Sequence, residues 1–185
     1  MNRPVEITPA VLRDLISYDP ETGDMVWKER PAKFFIGAKR DGDWSAKQWN
    51  SRLAGKPALA SVAATGCLNG SVFAQPLLAH RVAWAIYHGE WPKNEIDHIN
   101  GNRADNRIVN LRDVPRSLNV KNCKRRKDNT SGFAGVYRYK NRYLAHLRIN
   151  GKLKIVARCD TPEEAFAIRE QEKLKYGFHP NHGRD

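Results

Sequence analysis

The stretch Asp97-His98-Ile99-Asn100-Gly101-Asn102 constrains this chain more than any other part of its sequence. A carboxylate and an imidazole stand side by side there, and a polar loop of turn-forming residues follows them. Two asparagines come later, Asn110 just before the second strand candidate Leu111-Arg112-Asp113-Val114 and Asn119 in the helix expected after it. This order predicts two short strands joined by a long loop and followed by a helix. Such a ββα unit would direct Asp97, His98 and both asparagines toward one place.

The charge of the chain predicts its class of partner. Among 185 residues, 32 Lys and Arg stand against 20 Asp and Glu, which gives a formal charge of +12 and a pI of about 9.8. This excess favours nucleic acid, and double-stranded DNA is the partner we expect. The sequence shows no basic amphipathic helix and no lipidation signal, and it has no apolar run of roughly 18 residues. A membrane partner is therefore not expected. We expect a cytoplasmic location. We do not expect a small-molecule substrate.

The three cysteines are too far apart to form a zinc-binding set, and we interpret them as isolated reduced thiols. They are Cys67, Cys123 and Cys159.

The N-terminal part predicts a small α/β extension. Thr8-Pro9 has the residue types that begin a helix, and Met25-Val26-Trp27 after a turn-forming stretch predicts a short strand. Residues 28–56 carry weak signals and predict an irregular segment packed by its aromatic residues. Asn69-Gly70 predicts the turn of a β-hairpin, with Val72-Phe73-Ala74 as the returning strand.

The central part predicts the ββα unit in detail. Apolar residues at helical spacing predict a helix from Leu77 to His88 that ends at Gly89. Glu95-Ile96-Asp97 and Leu111-Arg112-Asp113-Val114 predict the two strands. Ser117 is then expected to cap a helix that runs past Asn119.

The C-terminal part predicts three antiparallel strands and one helix. Val136 to Tyr139, Arg142 to Ile149 and Lys152 to Arg158 are the strands, and Asn150-Gly151 favours a type I′ turn between the last two. Thr161-Pro162-Glu163-Glu164 is a capping box that begins the helix, and Gly177 marks its end. The expected class is therefore α+β throughout.

The residue types of the central unit suit phosphodiester hydrolysis, which needs an activated water and stabilisation of the phosphoryl charge. His98 can act as a general base near pH 7, while Asp97 and Asn119 can offer hard oxygen ligands to Mg²⁺. The amide of Asn110 can tie the long loop back and orient His98. Because neighbouring strand residues point to opposite faces, the strand must end or distort at Asp97-His98 for the two side chains to converge.

These residues closely resemble the HNH endonuclease family, specifically its phage and homing-endonuclease branch. The pieces that carry the resemblance are His80-Arg81, Asp97 to Asn102, Asn106-Arg107, Asn110-Leu111-Arg112 and Ser117-Leu118-Asn119. The resemblance implies a ββα-metal fold with His98 as general base, Asp97 and Asn119 as metal ligands, and Asn110 as the structural asparagine. Asn119 replaces the histidine that ends the named motif, which makes this a His-Asn-Asn variant and favours Mg²⁺ or Mn²⁺.

A second resemblance covers residues 131–177, which are similar to the Apetala-type, or ethylene-response-factor, DNA-binding domain. Its pieces are Ser131 to Val136, the Asn150-Gly151 hairpin and Asp160 to Ala165. The resemblance implies that the three-stranded sheet enters the major groove with the helix behind it. The side chains it directs toward DNA are Arg138, Arg142, His146 and Arg148. These arginines either read guanine or only hold phosphates.

Further basic residues are expected to contact phosphates near the nuclease unit. They are Arg81, Arg112 and the run Lys124, Arg125, Arg126 and Lys127. His80 either reaches the site or packs against the hairpin. The expected organisation is an α/β extension (1–75), the HNH unit (76–123), a basic linker (124–130), the Apetala-type domain (131–179) and a tail (180–185).

The two resemblances predict a metal-dependent DNA endonuclease of homing type, encoded by a phage and acting in a bacterial host. One site cuts one strand, so the protein either nicks as a monomer or breaks both strands as a homodimer or in two events. A packaging or defence role is the other biological reading. The alternative from a different class is a non-catalytic, sequence-specific DNA-binding regulator, in which the HNH unit is only a scaffold.

Overall fold

The described part of the chain mixes short helices with small sheets. A computed structural model describes residues 5–35, 40–119, 129–149 and 151–178. The chain divides into two units, Met1–His98 with Asn102–Asp113 and Ile99–Gly101 with Val114–Asp185. Helices and sheets occur in both units, which agrees with the predicted α+β class.

The helices are α1 (Pro9–Leu15), α2 (Gly42–Leu53), α3 (Ala79–His88), α4 (Arg116–Asn119) and α5 (Pro162–Lys175). The strands are β1 (Ile16–Tyr18), β2 (Met25–Trp27), β3 (Ser61–Val62), β4 (Leu68–Val72), β5 (Gln75–Leu78), β6 (Glu95–His98), β7 (Leu111–Val114), β8 (Val136–Tyr139), β9 (Arg142–Ile149) and β10 (Lys152–Cys159). Short 3₁₀ turns cover Ala32–Phe34 and Ile108–Asn110. The sheets are β1–β2, β3–β4–β5, β6–β7 and β10–β9–β8.

The first helix begins where the sequence predicts. The hydroxyl of Thr8 accepts a hydrogen bond from the backbone N–H of Val11 at 3.3 Å, and Pro9 occupies the first helical position. The helix buries Leu12 and Leu15 and packs against α3. Its capping residue and its apolar spacing are therefore both confirmed.

The helix α2 was not expected, because residues 28–56 were predicted to be irregular. Its apolar stripe is short and weak, because Ala46 is buried while Trp49 and Leu53 are only partly buried against the core. The ring of Trp49 meets the ring of Trp27 edge-on, with centroids 5.5 Å apart. Trp44 is 46% exposed and adds nothing to that stripe, so the helical periodicity of the sequence is faint.

The hairpin predicted at Asn69-Gly70 is wrong in its position. Both residues lie inside β4, and the turn falls at Phe73 and Ala74, whose φ angles are 49° and 60°. The returning strand is β5 rather than Val72-Phe73-Ala74. Gly70 serves close packing instead, since a Cβ atom there would lie 2.9 Å from Cα of Leu59.

The helix predicted from Leu77 to His88 starts two residues later as α3, because Leu77 and Leu78 complete β5. Its end at Gly89 is confirmed, with a left-handed φ of 80°. The buried face of α3 is apolar except for one imidazole, that of His80. This helix thereby carries a polar side chain into the core of the first unit.

The predicted central strands are present as β6 and β7, which pair with each other. The helix α4 begins at Arg116, so Ser117 lies within its first turn and is not its cap. The N–H of Asn119 donates to the carbonyl of Pro115 at 3.1 Å, so the helix starts two residues earlier than a cap at Ser117 would allow. The predicted continuation of this helix lies outside the described residues.

The second unit contains the predicted antiparallel sheet with one helix. Thr161 caps α5 through the N–H of Glu164 at 3.3 Å, as expected. The buried positions of α5 are Ala165, Arg169 and Lys173, so its packing face carries two cations. That composition explains why the sequence shows no apolar stripe there. In the described part of the chain, no helix has the length and apolarity needed to cross a bilayer.

Candidate functional site

Asp97 and His98 are the last two residues of β6, and each side chain is buried. The carboxylate of Asp97 accepts from Arg112 on the paired strand β7, at 2.7 Å from Nε and 2.6 Å from Nη2. Both donors reach the same oxygen, Oδ2. This ion pair holds one oxygen of the carboxylate in a set direction.

The imidazole of His98 is enclosed by polar neighbours. Its Nε2 atom lies 3.4 Å from Oδ1 of Asn106. Burial lowers the pKa of His98 below its usual value, and the charge of Arg103 lowers it further, whereas Asn106 and the carboxylates of Asp97 and Asp105 oppose the shift. The net effect keeps the ring neutral at pH 7, which is the state that a general base requires.

A second imidazole forms part of the wall of this site. The ring of His80 in the first turn of α3 meets the ring of His98 edge-on, with centroids 5.0 Å apart. Burial lowers the pKa of His80 to about 4, and the charges of His98, Arg81 and Arg103 act in the same direction. Among the described residues, the Nδ1 atom of His80 has no hydrogen-bond partner. Of the two placements considered for His80, the structure has it beside His98.

Asn110 closes the polar loop that follows His98. Its side chain is buried, and its Nδ2 atom donates to the carbonyl of Asp105 at 2.8 Å. Asp105 in turn forms a two-point ion pair with Arg107, at 2.8 Å to Nε and 2.7 Å to Nη2. The amide of Asn110 therefore holds the loop that carries Asn106, and its predicted effect on His98 remains a prediction.

Arg81 is engaged with the loop in front of β6. Its Nη1 atom donates to the carbonyl of Asn94 at 2.9 Å and its Nη2 atom to that of Pro92 at 3.1 Å. The carboxylate of Asp113 binds the same loop through the N–H groups of Lys93 and Asn94, both at 2.8 Å. Arg81 and Arg112 thus both contact protein atoms, and their phosphate contacts remain predictions.

Two of the predicted site groups do not belong to the described residues of the first unit. Asn119, at the end of α4, belongs to the second unit. The basic run Lys124, Arg125, Arg126 and Lys127 lies outside the described residues. The predicted roles of Asn119 in metal binding and of the basic run in phosphate binding remain predictions.

The strand register sorts the basic residues of the C-terminal sheet by face. Residues of β9 alternate, so Arg142, His146 and Arg148 share the face turned away from the core under α5. Arg138 pairs with Tyr143, whose ring packs on that core, and so lies on the helix side. We call the outward surface the open sheet face.

Arg158 is a basic residue of the open sheet face that sequence reasoning missed. It pairs with Leu144, which stands on the same side as Arg142 and His146. The shift in pairing between Ile155 and Ala157 decides on which side of β10 it lies. Because such a bulge leaves no clear mark in the sequence, the alternation of β10 alone could not have placed Arg158.

The sequence assigned Asn106 no role at His98 and left the placement of His80 open between two alternatives. Both occur within pieces of the HNH resemblance, at His80-Arg81 and Asn106-Arg107, and this was the only available signal. Their contacts with His98 depend on how α3 and the polar loop pack.

The donor chemistry of the site fits a hard divalent cation. Asp97 offers a buried carboxylate, and oxygen ligands are those that Mg²⁺ prefers. Within residues 5–35, 40–119, 129–149 and 151–178, no group of three or more His, Cys, Asp or Glu side chains could hold a metal ion.

The comparisons with known proteins bear on the same segment. Residues 77–121 match the model of a family described as HNH endonuclease, and this segment includes Asp97, His98, Asn110 and Asn119. Neither the search of curated proteins nor the search of solved structures found a match. The match supports the HNH family for this segment and, at family level, a nuclease that hydrolyses DNA.

Proposed function

We propose that this protein is a divalent-metal-dependent DNA endonuclease in which His98 is the general base. One observation carries the proposal: Asp97 and His98, consecutive residues at the end of β6, are both buried, and they lie inside the segment that matches the HNH model. Because burial lowers the pKa of His98, the imidazole is neutral at pH 7 and can accept a proton from water.

Each neighbouring residue has a distinct task in this proposal. Asp97 is a metal ligand whose direction is set by the guanidinium of Arg112, and Asn119 is the second ligand predicted from the sequence. Asn110 holds the loop behind His98. A bound Mg²⁺ or Mn²⁺ would stabilise the charge on the phosphoryl and leaving oxygens.

The second unit is proposed to hold the DNA. The open sheet face carries Arg142, His146, Arg148 and Arg158 without an acidic residue among its strand positions, which favours a polyanionic ligand. The resemblance to the Apetala-type domain supports the same assignment. Arg138 and the run Lys124 to Lys127 would add phosphate contacts outside this face. A basic face of this kind supplies affinity whether or not it reads bases.

The finer identity follows from the sequence resemblance. A homing-type enzyme encoded by a phage would act in the cytoplasm of a bacterial host. The chain has one Asp-His pair of this kind, so one protomer would cut one strand. A monomer would nick, and a homodimer would break both strands.

A plasmid assay tests the proposal. Supercoiled plasmid is incubated with the protein in Mg²⁺ or Mn²⁺, with EDTA in a parallel reaction. We expect relaxed or linear products with either metal and none with EDTA. His98→Ala should slow cleavage by about 10²- to 10⁴-fold, the usual contribution of a general base. His88→Ala is the matched control, because His88 is an exposed imidazole at the end of α3.

The control separates loss of the base from loss of any histidine. Cleavage by His98→Ala at the rate of His88→Ala would contradict the assignment of His98. DNA binding without cleavage in either metal would favour the non-catalytic regulator instead.

A further inference from the structure

The turn between β1 and β2 packs directly against the polar loop of the candidate site. The N–H of Ile108 donates to the carbonyl of Pro20 at 3.0 Å. A Cβ atom on Gly23 would lie 2.7 Å from N of Arg107 and 2.8 Å from C of Asn106. The two backbones are therefore in close contact, and glycine is required there both for space and for its φ of 82°. This turn lies outside the segment that matches the HNH model.

Tyr18, the last residue of β1, holds the loop at one atom. Its hydroxyl donates to the backbone carbonyl of Asn106 at 2.7 Å, across 88 residues of sequence. Burial, followed by the charge of Asp19, raises the pKa of Tyr18 well above its usual value, so the phenol stays protonated and keeps this donor. Turn 19–24 and Tyr18 together fix the backbone of Asn106.

Asn106 passes this constraint to the imidazole. Its side chain is only 2% exposed, so it has little freedom to rotate, and its Oδ1 atom lies 3.4 Å from Nε2 of His98. An amide oxygen can only accept, so this contact requires the proton of a neutral imidazole to sit on Nε2. The lone pair that takes a proton is then on Nδ1.

We propose that the β1–β2 hairpin is a positioning element of the His98 site: Tyr18 and turn 19–24 fix Asn106, and the amide oxygen of Asn106 holds His98 in the tautomer that bears its proton on Nε2. Asn106 and Tyr18 are positioning residues and do not touch the substrate. The consequence for cleavage rests on the proposed function, whereas the tautomer is a property of the folded chain. The two statements can therefore fail separately.

The tautomer is measured by long-range ¹H–¹⁵N correlation NMR of the ¹⁵N-labelled protein at pH 8, without DNA or metal. In the wild type we expect a pyrrole-like Nε2 and a pyridine-like Nδ1 for His98. Asn106→Leu keeps the approximate shape of the side chain but removes the acceptor, and should give a mixture of both tautomers. Asn106→Asp retains an oxygen acceptor and should restore the Nε2–H form.

The wild-type spectrum tests the assigned tautomer of His98 even if a variant fails to fold. A dominant Nδ1–H form in the wild type would overturn the proposal, because Asn106 would then have to donate rather than accept. An unchanged Nε2–H population in Asn106→Leu would overturn it as well.

The role of the hairpin is tested by Tyr18→Phe, which removes only the hydroxyl. We expect kcat to fall by about 2- to 10-fold, the usual effect of losing one hydrogen bond, with KM unchanged and a partial Nδ1–H population. Tyr87→Phe is the matched control, since Tyr87 is an exposed tyrosine of α3. A tautomer and kcat in Tyr18→Phe equal to those of the control would refute the role of the hairpin. If no variant cleaves DNA but the tautomers change as expected, the proposed function fails and the positioning proposal stands.

Discussion

The two units place their polar side chains in opposite ways. The first unit buries Asp97, His98, Asn106 and Asn110, each with an exposed fraction of 6% or less. The second unit turns cations of its sheet outward, and the ion pair of Arg142 with Asp160 is 63% and 78% exposed at its two ends. Buried groups keep fixed directions, while exposed cations keep their mobility and their water. The contrast suits chemistry in the first unit and DNA binding in the second.

The second unit also buries two cations, and they serve a different purpose from the outward ones. Arg169 and Lys173 are on the packing face of α5, and both form ion pairs with the carboxylate of Glu170. The Nε atom of Arg169 donates to the carbonyl of His146 at 3.2 Å, which ties the helix to the sheet. Burial lowers the pKa of Arg169, and its own ion pair with Glu170 opposes the shift. These cations stabilise the unit and are not available to DNA.

The largest stability effect is expected from the buried ion pair of the first unit. Arg112→Leu removes the guanidinium from Asp97, whose side chain is 7% exposed. We expect a loss of about 3 kcal/mol in the free energy of unfolding, the low end for a buried pair because Arg112 is itself 31% exposed. All five tryptophans lie in the first unit, so tryptophan fluorescence in a urea titration reports this change.

Arg142→Leu is the matched change in the exposed pair of the second unit. We expect it to change the free energy of unfolding by no more than about 0.5 kcal/mol, because both partners are solvated. Far-UV circular dichroism during a urea titration measures this change. Equal losses of unfolding free energy in Arg112→Leu and Arg142→Leu would contradict the expected difference between buried and exposed ion pairs.

A pH effect is expected from His80. Its folded pKa of about 4 lies below the value of about 6.5 for an unfolded histidine, so the unfolded state binds more protons between these limits. Stability is therefore full above pH 6.5 and falls as the pH drops toward 4, by roughly 3 kcal/mol at most from this group. His80→Leu should flatten the acid limb of the fluorescence-detected stability curve.

His146 provides the comparison for that curve. It lies on the open sheet face of the second unit, where burial lowers its pKa. His146→Leu should leave the acid limb of the first unit unchanged. An acid limb in His80→Leu as steep as in the wild type would contradict the assigned burial effect.

The smallest effect is expected on the open sheet face. Arg158→Ala should weaken DNA binding by about 2- to 5-fold and reduce the slope of log K against log salt by about 0.9, the loss of one phosphate contact. Lys154→Ala is the matched control, because Lys154 pairs with Leu147 on the helix side and donates to the hydroxyl of Tyr176 at 3.1 Å. Fluorescence anisotropy with labelled duplex at several salt concentrations measures both slopes. A larger effect from Lys154 would contradict the sorting of residues by face.

Local patterns of the sequence predicted much of the fold. Thr8, Thr161 and Gly89 mark helix ends through their own backbone chemistry, and the alternation in β9 follows from its pairing with two neighbours. The helix α2 and the turn at Phe73-Ala74 could not be found in this way. The helix depends on an aromatic contact that forms only in the folded chain, and the turn places two non-glycine residues at positive φ, which local preferences disfavour.

The residues of the candidate site also differ in how far the sequence could predict them. Asp97, His98 and Asn110 are close in sequence and keep a recognisable spacing, so their types and order could be interpreted. Asn106 was visible only as part of a motif, and the contact that fixes its backbone comes from Tyr18, 88 residues away. A partner at that distance leaves no local signal, since it depends on how the first hairpin packs against the loop.

The rate of DNA cleavage by His98→Ala under single-turnover conditions with saturating protein tests the central claim most directly. Saturation removes any contribution from binding, so the rate reports only the chemistry of the buried cluster. We predict a loss of about 10²- to 10⁴-fold with an unchanged Kd for DNA, while Arg158→Ala keeps the wild-type rate. A His98→Ala variant that cleaves at the wild-type rate would contradict the account.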